Sequence, residues 1–150
     1  MANEIHSKLA ASAGLTITLA SLASSAAGVG RQSTLVDNSS TLYKKIHLYV
    51  TILTGTSPTA NKAVYVYLIK GDGTIRTDGA GATDAAITIK NAQLIGALVT
   101  DATSDNPYSD CFIIEDPGPE WGIAVVHDTG VNLNASGHDI NWVGQLPEVQ

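Results

Sequence analysis

Four histidines, one cysteine and fourteen carboxylates are the side chains of this 150-residue chain that could do acid–base, nucleophilic or metal chemistry. His127 is followed by Asp128, and His138 by Asp139. If folding brought these pairs together, they could hold a metal or orient a base. Each reads more simply as a polar residue at a strand end. His6 and His47 lie at no ligand spacing from the others, and His47 reads as a surface or interface residue. Glu115, Asp116 and Glu120 flank the turn EDPGPE. Paired carboxylates serve as acid and base in glycosidases, but around a Pro-Gly turn these read as solvated loop charges. Asp72, Asp78 and Asp84 recur in the glycine-rich GDGTIRTDGAGATDAA. A calcium loop needs D-x-[DN]-x-[DN]-G and a bidentate Glu, and neither is present; Asp-Gly is also a common turn dipeptide.

Cys111 is the single cysteine, so no disulfide can close within the chain and no cysteine-based zinc site can form. In SDCFIIE it reads as a small buried residue of a strand. No nucleophile elbow, phosphate-cradling loop or H-E-x-x-H occurs. The search for chemistry returns no catalytic residue, no metal site and no cofactor site, and the expectation is a protein that is not an enzyme.

The elements that would position these residues are strands. From Leu42 to Leu53, Leu42, Ile46, Leu48, Val50 and Ile52 share one face, and Tyr43, Lys45, His47, Tyr49 and Thr51 the other. Period two marks a half-buried strand. After TGTSPTANK, Val64, Val66 and Leu68 alternate with Tyr65, Tyr67 and Ile69, so the two runs are predicted to pair as a long hairpin. Four of the five tyrosines, Tyr43, Tyr49, Tyr65 and Tyr67, then form one aromatic stripe. The stripe is either packing within a second covered face or a contact surface for another protein.

Further short strands are predicted at 31–36, 86–90, 94–100, 111–115, 121–127 and 138–143, with turn residues between them. DATSDNPYS and EDPGPE are loops, and the final LPEVQ is expected to trail along the surface. The leading 28 residues mimic a secretory signal, but Glu4 offsets Lys8 and Ser and Thr interrupt the apolar run, which is also too broken to span a membrane. Residues 1–14 are expected to be an extended arm, either loosely ordered or held by a neighbouring subunit, with Leu15, Ile17 and Leu19 on a first strand. The regular strand spacing predicts an all-β, single-domain β-sandwich over 15–150, jelly-roll or Greek-key like.

Composition narrows the partners. The chain is 44% hydrophobic, enough for a core, while 15% charged residues is low against a usual ~25%. Such a surface suits Ser, Thr, Asn and Gly, or cover by neighbouring chains. A net charge of −6 disfavours nucleic acid and anionic membranes, which call for basic surface.

The segments LTITLASLASS, GRQSTLVDNSSTLY, GTSPTANKAVYVYLIKGDGT, TDAAIT, LIGALV and PEWGIAVVHDTGVNLNASGHDINWVG together resemble small structural proteins of tailed bacteriophages, of the head decoration (cement) type. The resemblance runs from about Leu15 to Gly144, and Pro119 to Gly122 followed by Asp128-Thr129-Gly130 is its most particular part. It implies a β-sandwich or jelly roll with no active-site residues to carry over. It also implies the major capsid protein as partner, self-association as a dimer or trimer, and a place on the outer capsid surface of a virion made in the bacterial cytoplasm. On this reading Tyr43, Tyr49, Tyr65 and Tyr67 make a protein contact and Leu15, Ile17 and Leu19 dock the arm. The alternatives are a tail or fibre component, or a carbohydrate-binding sandwich with Trp121 or Trp142 exposed in a groove.

Overall fold

A computed structural model describes residues 5–79 and 81–149. Among them there is no helix. The strands are β1 (Ile5–Leu9), β2 (Ala13–Gly14), β3 (Val29–Gln32), β4 (Val36–Asp37), β5 (Lys45–Leu53), β6 (Lys62–Gly71), β7 (Ala85–Thr88), β8 (Gln93–Thr100), β9 (Pro107–Glu115), β10 (Glu120–His127) and β11 (Asp139–Val149). They form two antiparallel sheets packed face to face, the β-sandwich that the sequence predicts. The first sheet, A, runs β1-β11-β5-β9, with β2 also on β11; the second, B, runs β7-β3-β10-β6-β8, with β4 also on β10.

β1 and β2 are successive pieces of one edge strand along β11. Ala10 N–H donates to the Gly144 carbonyl and Leu15 N–H to that of Ile140, bridging the gap between and beyond them. β3 and β4 likewise lie in line along β10, with Ser33 N–H donating to Ile123 between them. Each sheet turns one aliphatic row per strand inward, the even positions on β5 and β6 and the odd positions on β10. Ile46, Leu48, Val50 and Ile52 of β5 meet Val64, Val66 and Leu68 of β6 and Ile123 and Val125 of β10 in one core. Trp121 and Trp142 meet edge to face in it, 5.3 Å between ring centres, and Tyr43 stands edge-on to Trp142.

The predicted hairpin between residues 42–53 and 63–70 does not form. β5 pairs with β11 and β9, and β6 with β10 and β8, in the opposite sheet. The linker between Leu53 and Lys62 is long enough to cross the ~10 Å between layers. Alternation reports that a strand is half buried, not which strand lies beside it. Leu42 also leaves the strand. It is exposed and left-handed (φ 55°), because Asn38 closes a turn there: its side chain accepts Tyr43 N–H at 2.9 Å and donates to the Tyr43 carbonyl.

The expected arm and first strand are also revised. Residues 5–9 are laid down as β1, paired to Val149–Gln145 of β11, so the C-terminal segment is strand rather than a surface trail. Residues 1–4 and 150 lie outside the described residues. Leu15 to Leu19 form no strand. The segment crosses from Ile140 in sheet A to Thr34 in sheet B, where Thr34 N–H donates to Thr16. Leu15 and Leu19 are buried in the chain's own core and Ile17 packs against it. Their alternation is that of an extended plug closing one side of the sandwich. Side chains already buried within the molecule are not offered to a neighbouring subunit.

Close packing at Gly30 sets a stringent test of this arrangement. A Cβ there would stand 2.1 Å from the Val125 carbonyl oxygen, and backbone of a doubly covered strand cannot yield. Gly30→Ala should cost about 1–3 kcal/mol or more. Gly14→Ala, whose nearest neighbour would be 3.7 Å away, should stay within about 0.5 kcal/mol, both measured by urea unfolding.

Candidate functional site

The residues with chemical potential are dispersed and individually engaged. Among the described residues no three His, Cys, Asp or Glu side chains converge as a metal site. His127 is fully buried, with Nδ1 3.0 Å from Thr129 Oγ1 and Nε2 3.0 Å from the Leu22 carbonyl. His138 Nδ1 accepts Leu53 N–H at 3.3 Å and Nε2 donates to the Asn134 carbonyl at 2.8 Å. Each ties loops at one end of the sandwich. His47 pairs with Gln145 at 3.2 Å, and His6 is on β1. The acidic residues at EDPGPE do not face one another. Glu115 pairs with Lys45 at 2.9 Å, and Glu120 holds Arg76 through one hydrogen bond of 2.9 Å from Nη2 and an ion-pair contact of 2.8 Å at Nε.

The three loop aspartates do separate jobs. Asp72 caps its own turn through Thr74 and Ile75 N–H. Asp78 accepts N–H bonds from Lys90, Asn91 and Ala92. Asp84 binds Arg31 and Thr18. Burial opposes ionisation of Asp78, yet the backbone donors outweigh it and hold the carboxyl below its usual range. The Asp78 and Asp84 contacts fasten a flap, the described loop residues on either side of the edge strand β7 (78–79, 81–84 and 89–92), over the outer face of sheet B. Gln32 adds two bonds, donating from Nε2 to the carbonyls of Gly81 and Thr83. Under the flap lies a second small core, where Ile69, Ile87 and Ala124 are covered by Leu35, Tyr67, Ile89 and Ala92.

The tyrosines therefore do not make one stripe. Tyr43 packs into the main core and Tyr67 into the flap's core. Tyr65 is half buried on the outer face of sheet B, level with Ala97. Tyr49 is 48% exposed on the outer face of sheet A, on the far side of the molecule. A stripe requires β5 and β6 to share a sheet, and they do not. Cys111 is exposed, not buried. β9 is an edge strand whose even positions, Phe112 and Ile114, fill the core, which sends Cys111 outward beside Tyr49. Both tryptophans are buried, so neither lines a sugar groove.

Among the described residues the outer face of sheet A has no flap. Across it run the rows Ser109–Thr51–Asp139, Cys111–Tyr49–Asn141 and Ile113–His47–Val143, fixed by the pairing of β9, β5 and β11. Ile113, opposite His47 and one row from Tyr49, is 45% exposed. This uncovered face is the broadest candidate contact surface. Sequence patterning places its residues outward but does not reveal that sheet B alone is covered. No protein-family model and no curated protein matches this chain.

His127 gives a pH dependence. Burial is the main cause that lowers its pKa below the usual 6.5; the Leu22 bond and Asp128 oppose the shift, and His138 adds slightly to it. The native state then binds fewer protons than the unfolded one below about pH 6.5, so stability is complete above that pH and falls as pH drops toward the folded pKa. The lowered carboxyls of Asp78, Asp84 and Asp128 add a second loss below about pH 4. Urea unfolding from pH 7 to 5 should show the first loss, and His127→Gln should flatten it.

Proposed function

We propose that this protein is a structural component of a tailed-bacteriophage virion, a decoration protein that seats the outer face of sheet A on the assembled capsid lattice. The observation that carries the reading is that face: bare, weakly charged, and bearing Tyr49, Ile113 and Val143 in adjacent rows. Exposed apolar side chains gathered on one surface mark a contact site, and tyrosine is enriched in such sites.

Connectivity supports it. With β1/β2 and β3/β4 each counted as one strand and the four-residue edge strand β7 set aside, the chain order in sheet A is first, eighth, third, sixth, and in sheet B second, seventh, fourth, fifth. We read this as a jelly roll, an architecture found in viral capsid and lectin domains. The resemblance of the sequence to phage head decoration proteins points the same way. A net charge of −6 suits the outside of a shell better than a lining that faces phosphate. The function calls for binding and no chemistry, and the major capsid protein is the partner, alongside copies of the chain itself.

The mechanism is mass action. A ligand that binds the assembled shell but not its dissociated subunits stabilises the shell by RT ln(1 + [L]/Kd), about 2.7 kcal/mol at a hundredfold excess over Kd. Purified protein added to expanded, undecorated phage heads should bind at fixed stoichiometry and raise their melting temperature. Tyr49→Ala combined with Ile113→Ala should weaken this binding while circular dichroism stays unchanged, and Tyr65→Ala on the other sheet should not. Heads that take up no protein would end the proposal.

A further inference from the structure

Sheet B ends at β8, and among the described residues no strand lies on its far side. The outward N–H and C=O groups of such an edge are a template for another strand. Folded proteins usually blunt an edge with charge, proline, shortness or cover. The other edges here do so. β9 carries Pro107, Asp110 and Glu115; β7 has four residues; β1 and β2 are interrupted and carry Lys8. β8 is neither charged, proline-bearing nor short; its bulge is confined to Ile95, and β9, whose Phe112 packs against Gly96, is not hydrogen-bonded to it. Its eight residues, QLIGALVT, hold no charge and no proline, and it exposes Val99 at 65% and Leu94 at 49%.

We propose that β8 pairs antiparallel with β8 of a second copy of this chain, so that sheet B runs on from one molecule into the next. Charge selects the occupant. Two copies of a chain of net charge −6 repel over most of their surface, and an uncharged edge is where they meet without bringing like charges together. A two-fold interface must also be self-complementary, a condition that a strand paired antiparallel to itself meets automatically.

The register follows from the bulge. Pairing with β6 shifts between Val66 and Tyr67 and leaves Ile95 without a partner, so strict alternation holds from Gly96 to Thr100. Centring the two-fold on Leu98 sets Val99 beside Ala97 on the outer face and Gly96 beside Thr100 on the inner face. That register keeps both faces matched. Tyr65, paired to Ala97 on β6, forms the next row and widens the apolar seam.

The inference names the self-contact within the reading above but needs no capsid, and its test is made without heads. Sedimentation velocity of the full chain across micromolar concentrations should show a dimer. Val99→Lys, at an exposed position, should weaken the dimer by about tenfold or more, because the two-fold puts two ammonium groups in one seam, with circular dichroism and melting temperature retained. Ala97→Lys should do the same and decides the matter if Val99→Lys fails to fold. Mixing Val99→Lys with Val99→Glu should restore association, and Ile113→Lys on sheet A should leave the dimer intact. A monomeric wild type, a Val99→Lys dimer as tight as wild type, or loss of the dimer on Ile113→Lys would overturn the proposal.

Discussion

Strand β10 meets water on neither face, and each of its residues from Trp121 to His127 is buried. Inward, Trp121, Ile123 and Val125 fill the space between the sheets. Outward, Ala124 belongs to the core beneath the flap. A strand buried on both sides needs a full set of backbone partners, and β10 has β6 along one side and β3 and β4 along the other. The rest of the fold supplies those two covers. One is sheet A. The other is the flap, which Asp78, Gln32 and Asp84 hold in place through hydrogen bonds to backbone and to Arg31.

That double cover produces an asymmetry between the two outer surfaces. Sheet B spends its outer apolar residues on the flap, except along β8. Among the described residues sheet A has no such cover, and its outer rows stay open from β9 across to β11. The fold thus presents a broad face on one sheet and a narrow edge on the other.

Much of this architecture is legible in the sequence. β5 and β6 announce themselves by period two, and β10 appears among the short strands bounded by turns, without its burial on both faces. The sandwich class follows from the spacing of these runs. Pairing is not legible, because partner choice depends on how the linkers cross between layers. The hairpin expectation for β5 and β6 failed at that point, and the single tyrosine stripe failed with it. Leu15 to Leu19 shows the same limit: alternation signals an extended segment with one buried side, and a plug between sheets satisfies that as well as a strand does. Cys111 was placed inside because its neighbours are apolar, whereas the edge position of β9 turns it out. The flap could not be foreseen, since its fastening depends on Asp78 reaching backbone more than ten residues ahead.

The pairing of β1 with β11 has a mechanical consequence. Ile5 lies opposite Val149 and Leu9 opposite Gln145, so the two outermost residues of the ladder sit side by side at one corner. Tension applied between them would load one rung at a time, as in opening a zipper, instead of loading all the rungs in shear. The sandwich would shed this outer ribbon at low force while its inner layers held, and the ribbon could zip back into register once the load is released.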